Sequence, residues 1–362
     1  AFTACQSHVQ NIKWNLFNGV PEYSDSTFPG DDFSINLDIV QFQFSAGREF
    51  IEDKLSLGLG ISIVRGDLDY TMVTLRDNPL DPSLVNTPFS LIPEATSQDG
   101  FGWGVGLKLG ALWKPSEKLS IGAAFSPKST ITVKGDAFFQ INLPNDPATH
   151  QANEFDLLAG QDEFYFTNGT VLRINSEFET EIVVPASISG GLAFRASDRL
   201  TITLDGEFTL WSQFKGFDFR YTSFDTINVP GNAPPLVTAL AQTSNLSEPV
   251  EWGDATRVML GVDYALKSYV NVLGGLAFDQ SPTSVRSTRP QFIDNGDKVI
   301  TSLGVAFQLS QWNLSWMSNI TFQPDLTVSE LTDIDGDGHS DNLPGDISGE
   351  RYVTAVELAY RF

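Results

Sequence analysis

Leu55-Ser56-Leu57-Gly58-Leu59-Gly60-Ile61-Ser62-Ile63 decides how the chain is read. Its odd positions are all large and aliphatic, and its even positions are all Ser or Gly. A helix would scatter these two classes around its axis. A strand sends successive side chains to opposite faces, so only period two keeps them apart. Working outward, the pattern returns in Trp103, Val105, Leu107, Leu109, Ala111 and Trp113, with Lys108 and mostly Gly between them. It returns again in Leu200, Ile202 and Leu204, interleaved with Thr201, Thr203, Asp205 and Glu207.

Short turns launch these strands. Glu52-Asp53-Lys54, Ser116-Glu117-Lys118, Ser197-Asp198-Arg199, Lys267-Ser268 and Ser310-Gln311 each precede an apolar–polar–apolar run. Between them lie long polar stretches near 75–98, 141–175, 222–253, 283–295 and 331–349. Tight turns at one rim and long loops at the other describe a membrane barrel better than a soluble sandwich. Strands of ten residues or more point the same way, since roughly that length crosses a bilayer at a tilt. About eleven strands are legible, at 33–50, 54–74, 99–114, 118–140, 176–195, 199–221, 254–267, 269–282, 297–309, 312–329 and 350–362, with room for a twelfth around Val9–Val20.

Three local features refine this expectation. In the first strand, Phe33, Ile35, Leu37 and Ile39 share one parity and Phe42 and Phe44 the other, which predicts a bulge near Val40. Pro185 removes a ladder donor inside a strand, which predicts a bulge or gap there. At the C-terminus, Tyr352, Val356, Leu358, Tyr360 and Phe362 share one face, and a terminal Phe on such a strand resembles the insertion signal of bacterial barrels.

Composition fits. Of 362 residues, 27 are Phe and 30 Gly, the net charge is -23, and mean hydropathy is near zero. No apolar run reaches the ~18 residues of a spanning helix, but barrel strands hide from hydropathy because their inner half is polar. The acidic balance excludes nucleic acid as a partner, because phosphates demand Lys and Arg. A single cysteine, Cys5, excludes an internal disulfide framework. Phe2-Thr3-Ala4-Cys5 loosely resembles a lipoprotein processing site, but no apolar signal segment precedes it, so it is read as a free thiol.

Several motifs occur in register over about residues 33–362. They are Phe101-Gly102-Trp103-Gly104-Val105-Gly106, Val133-Lys134-Gly135, Val184-Pro185-Ala186-Ser187, Leu210-Trp211-Ser212-Gln213-Phe214, Trp252-Gly253-Asp254-Ala255-Thr256-Arg257-Val258, and Ala277-Phe278-Asp279-Gln280-Ser281-Pro282. Together they resemble the FadL/TodX family of outer-membrane transporters for long-chain fatty acids and hydrocarbons. The resemblance implies an antiparallel transmembrane β-barrel of about fourteen strands in the bacterial outer membrane, plugged by an N-terminal hatch. It implies hydrophobic cargo, passive movement, sideways release through the wall, no cofactor and a monomer. The hatch motif and about two first strands are not legible. Residues 1–32 are therefore expected to be an N-terminal remnant and 33–362 the barrel, in a chain cut at its start.

Candidate functional residues are few. Asp333-Ile334-Asp335-Gly336-Asp337-Gly338-His339-Ser340-Asp341 places carboxylates at calcium-loop spacing, with Asp333, Asp335, Asp337 and Asp341 as ligands and Gly336 at the sharp turn. Pro344 stands where the loop's bidentate Glu belongs, leaving Asp346 or Glu350 as substitutes. Lys108, Arg65 and Arg257 are the cations proposed to meet a substrate carboxylate. Asp205, Glu207 and Asp263 are placed on the lumen face. Trp103, Trp113, Trp211, Trp252 and Tyr360 are assigned to aromatic girdles. Phe138, Phe139, Phe164, Tyr165, Phe166, Phe217, Phe219 and Phe224 suit either a greasy capture site or loop packing. His8, His150 and His339 fall in loops or the terminus, so no catalytic Ser–His or carboxylate–His pair is expected and the chain is not read as an enzyme. A general porin for polar solutes and an adhesive barrel with calcium-binding loops remain open beside the transporter.

Overall fold

The computed structural model describes residues 2–15, 32–77, 91–142, 171–226, 245–289, 291–292, 296–334, 336, 340, 342, 344–349 and 351–360. Its strands are β1 (Phe2–Trp14), β2 (Phe33–Ile51), β3 (Leu55–Asp77), β4 (Leu91–Ser116), β5 (Leu119–Ser126), β6 (Ser129–Asn142), β7 (Val171–Val184), β8 (Ser187–Ser197) and β9 (Leu200–Thr209). They continue as β10 (Gly216–Thr226), β11 (Leu246–Pro249), β12 (Ala255–Lys267), β13 (Val270–Asp279), β14 (Lys298–Leu309), β15 (Trp312–Phe322), β16 (Leu326–Val328), β17 (Gly345–Ile347) and β18 (Arg351–Tyr360).

Sixteen of these join one sheet, while β16 and β17 pair separately. Four wall positions hold two strands end to end: β5 with β6, β7 with β8, β9 with β10, and β11 with β12. The wall therefore runs β1, β2, β3, β4, then those four pairs, then β13, β14, β15 and β18, which is twelve positions. β1 and β18 stand at the ends of the order, and among the described residues no ladder joins them.

Register fixes which way each side chain points. Leu57, Leu59, Ile61 and Ile63 on β3 pair with Ala111, Leu109, Leu107 and Val105 on β4, so all eight share the outer face. The seven large ones among them are exposed, as are Leu192, Leu204, Leu260, Leu276 and Leu303 further round the wall. An apolar band this broad is stable only against lipid. Trp113 and Trp103 mark its two edges on β4. The ten steps between them rise about 33 Å, or about 25 Å along the normal at a ~40° tilt, the height of an outer-membrane band. At the turn rim Trp312 packs on Tyr360, ring centroids 4.7 Å apart.

The inner face has two halves. Toward the short turns it is lined by Gly58, Gly110, Gly122, Gly191 and Asp205, which leave about 730 Å³ open. Toward the long loops it is filled by apolar side chains: Ile35, Leu37, Leu68, Tyr70, Ile131, Phe139, Phe178, Phe217 and Phe219 all belong to one buried cluster. This corrects one expectation. β2 carries no bulge near Val40, because its ladder with β3 is continuous from Ser34↔Thr71 to Glu49↔Ser56. The apolar parity switches because Phe42 and Phe44 face lipid while Ile35, Leu37 and Ile39 face the packed lumen; the one irregularity on that side is in β1, between Gln6 and His8.

Other boundaries shift as well. The expected strands 118–140, 176–195, 199–221 and 312–329 are each split, at Pro127-Lys128, at Pro185-Ala186, around residues 210–215 and at Gln323-Pro324-Asp325. The gap expected at Pro185 is present. The loop expected at 75–98 is shorter, since β3 and β4 still pair at Asp77↔Leu91. Residues 1–32, expected to be a remnant, include β1, which pairs along β2. Phe362 lies outside the described residues.

Glycines on β4 allow close strand approach. A Cβ at Gly102 would run into the Thr132 carbonyl of β6, whereas one at Gly274 meets nothing within 4 Å. Gly102→Ala is therefore expected to lower stability by about 1–3 kcal/mol, as overpacking does, and Gly274→Ala to change it little. Urea unfolding of both variants in lipid vesicles checks this, and equal midpoints would contradict the close approach.

Candidate functional site

A break crosses the wall. β4 is continuous, but its ladder with β6 ends at Gly104↔Ile131 and its ladder with β5 starts at Leu109↔Phe125, so 105–108 lie between them. One strand over, β6 and β7 meet at Ser129↔Val184 and β5 and β8 at Ser126↔Ser187, separated by Pro127-Lys128 and Pro185-Ala186. Proline has no N–H to give a ladder, so a break at each is a direct consequence of sequence. One strand further, β8 pairs β9 up to Ser187↔Thr209, and β7 meets β10 only from Glu179↔Arg220.

The chain between β9 and β10 fills this break with a 3-10 turn, Trp211–Gln213. Side chains pin it: Ala186 N donates to Gln213 Oε1 at 3.0 Å, and Ser212 N donates to Asp254 Oδ1 at 3.0 Å. The turn delivers Phe214 into the buried cluster, against Phe217 at 5.5 Å and Trp252 at 4.8 Å between ring centroids.

A cavity of about 370 Å³ opens behind the break. Its apolar side is made by Leu37, Ile39, Val64, Trp211, Phe217 and Trp252, and its polar side by Gln10, Gln41, Lys108, Glu207 and Thr209. Residues flanking the break line it on several strands: Leu107 and Lys108 of β4, Ser126 and Ser129 beside Pro127, and Val184 and Ser187 beside Pro185.

The three cations expected to meet a substrate carboxylate separate here. Lys108 lines the cavity and makes no ion pair or hydrogen bond among the described residues. Arg257 lies on the lumen face, opposite Glu207, but its Nη2 is 2.7 Å from Asp279 Oδ2, so its charge is already matched. Arg65 is on the outer face, opposite Trp103. It pairs with Asp67 at 2.6 Å and covers the rings of Phe101 and Trp103. Its parity with Leu59, Ile61 and Ile63 already placed it there.

The remaining expectations divide similarly. Asp205 and Glu207 line the lumen, and Asp263 accepts a hydrogen bond from Asn271 Nδ2 at 2.8 Å. Trp103, Trp113 and Tyr360 are exposed, as girdle residues should be. Trp211 and Trp252 instead pack on each other inside, 5.4 Å apart, because the broken wall turns their segments inward. Phe139, Phe217 and Phe219 are lumen core, and Phe224 is exposed. Phe164, Tyr165, Phe166, His150 and His339 lie outside the described residues. So do Asp335, Asp337 and Asp341 of the calcium expectation; Asp333 Oδ1 accepts from Gly336 N at 2.6 Å, a local turn bond. Sequence reading missed Pro127 and Phe292, although Pro127 carries the same signal as Pro185.

The family described as outer membrane protein transport protein (OMPP1/FadL/TodX) matches residues 17–362. An outer membrane protein of Neisseria meningitidis serogroup B is 24% identical over 212 residues, 59% of this chain and 40% of that relative, so the match takes in less than half of the relative's length. Among solved structures, a Pseudomonas aeruginosa FadL homologue superimposes with a TM-score of 0.66 at 17% identity, covering 99% of this chain and 72% of that one. The Ralstonia pickettii toluene transporter TbuX does so with a TM-score of 0.62 at 15% identity, covering 99% and 77%.

Proposed function

The chain belongs to the OMPP1/FadL/TodX family of outer membrane transport proteins, and from that premise we propose that it passes hydrophobic molecules through the outer membrane and releases them sideways through its wall. The observation that carries this is the cavity at the Pro127–Pro185 break, lined by the residues on either side of it. A molecule held there lies between the packed lumen and the lipid band. Moving from water to such a cavity and on to lipid is downhill by about 25 cal/mol per Å² of apolar surface removed from water. The passage therefore needs no energy source, cofactor or chemistry on the cargo, and one subunit holds the whole path. The aromatic plug across the lumen argues against a porin for polar solutes.

The cargo is proposed to be an acyl chain or a small aromatic hydrocarbon. Solved relatives are named as toluene transporters, and Lys108, with no ion pair among the described residues, supplies a cation for a carboxylate.

Uptake of labelled oleate and labelled toluene, in cells lacking their own transporter, tests the reading. Uptake of either supports it, and uptake of neither by a properly inserted protein overturns it. Lys108→Met is expected to slow oleate about ten-fold, the worth of one charge-assisted hydrogen bond, and to leave toluene near its original rate. Equal losses for both would remove Lys108 from carboxylate recognition.

A further inference from the structure

The connection between β13 and β14 does not simply project outward. Val285–Ser287 forms a 3-10 turn, and Ser287, Thr288, Arg289, Gln291 and Phe292 are all buried. A connection that buries polar groups must find partners for them. It finds them on several sides of the lumen. The Arg289 guanidinium pairs with the Glu248 carboxylate of β11, both side chains more than nine-tenths buried. Arg289 Nη2 also donates to Pro249 O at 3.2 Å. Gln291 Nε2 donates to Thr71 O of β3 at 3.4 Å, and Gln10 Nε2 of β1 donates to Gln291 O at 2.5 Å. From outside, Asn342 Nδ2 donates to Val285 O at 3.1 Å.

This anchored segment carries Phe292 into the cavity wall. Its ring stacks on Phe217 with centroids 5.6 Å apart and 27° between planes, and meets Trp252 edge-on at 5.8 Å. We propose that the segment carrying Arg289 and Phe292 is a latched roof over the cavity, and that Phe292 sets the size of apolar molecule the cavity accepts. The proposal rests on the transport reading and names a specificity and gating element within it.

The latch has the energetics of a switch. A buried ion pair adds little net stability over an apolar substitute, but losing one partner strands the other charge. The pair therefore favours one seated position of the roof without binding it irreversibly. In the seated position Trp252 Nε1 is buried with no hydrogen-bond partner among the described residues. An unpaired buried donor carries a desolvation penalty, which lifting the roof relieves. Since Phe292 shares its ring contacts with Phe217 and Trp252, an apolar cargo of the right width can replace those contacts as the roof lifts.

The experiment measures initial uptake of labelled toluene, naphthalene and oleate in cells lacking their own transporter, with the full chain and two variants, and ion conductance in planar bilayers. Phe292→Ala is expected to raise naphthalene uptake relative to toluene about ten-fold, a common scale for pocket-size discrimination. Phe292→Leu, which keeps an apolar side chain, should move the ratio the same way by less and serves if the Ala variant fails to insert. Arg289→Gln should raise conductance several-fold by unlatching the roof. An unchanged uptake ratio for an inserted Phe292 variant overturns the size-setting role, and unchanged conductance for inserted Arg289→Gln overturns the latch. If the unaltered protein carries none of the three probes, the transport reading fails and this inference with it.

Discussion

Gly106→Trp is expected to reduce uptake of both oleate and toluene by ten-fold or more while the barrel still assembles. Gly106 faces the lumen, opposite Ser62, in the stretch of β4 that lies between its two ladders. A Cβ there would sit 3.5 Å from Ser62 Cβ and 3.9 Å from Val64 Cγ2, ordinary contact distances. Gly102 and Gly104, four and two residues away on the same face, offer no such room, because Cβ atoms there meet the carbonyls of Thr132 and Thr130. The broken ladder thus makes Gly106 the substitutable member of this glycine run. An indole at this position enters a cavity of about 370 Å³ directly, and Trp is large enough to cover ~150–250 Å² of surface. The blocked cavity then loses its cargo whatever the cargo is. Heat-shifted electrophoretic migration reports assembly, and the uptake assay reports passage. Normal uptake by an assembled variant would show that the path does not run through this cavity.

Leu59→Arg tests the other face of the same wall. Leu59 is exposed, with Leu57 and Ile61 beside it on β3 and Leu109 opposite on β4. It lies between the levels of Trp113, which pairs Leu55, and Trp103, which pairs Arg65. A cation at such depth in a barrel costs about 2–4 kcal/mol, falling to ~0–1 kcal/mol near the interface. Leu55→Arg, at the rim, is the matched control. Urea unfolding in lipid vesicles should show a large midpoint loss for Leu59→Arg and a small one for Leu55→Arg. Equal midpoints would mean that the facing of β3 is wrong.

Much of this architecture is legible in the sequence. Leu55–Ile63 declares its two faces by alternation, and Ser116-Glu117-Lys118 and Ser197-Asp198-Arg199 declare the turn rim. Pro185 announces a break through its missing donor. Lys108 shares the parity of the lumen glycines, and it is the one of the three candidate cations found in the cavity. The misreadings share a cause. Ile35, Leu37 and Ile39 suggested a bulge because an apolar side chain is equally at home against lipid or in a packed lumen. Trp211 and Trp252 were placed in a girdle because an indole suits a membrane interface and an aromatic core alike.

The sequence by itself determined the strands, the turn rim, the facing of most side chains and the family. Backbone alternation and turn chemistry are local, and each can be read within about ten residues. Only the tertiary structure decided where the lumen is packed, where the ladders of the wall break and which connection lines the cavity. The break exists because Pro127, Pro185 and the Trp211–Gln213 turn, far apart in the chain, fall side by side across neighbouring strands. Phe292 becomes part of the cavity because Arg289 finds Glu248, and no local pattern in the chain records that meeting.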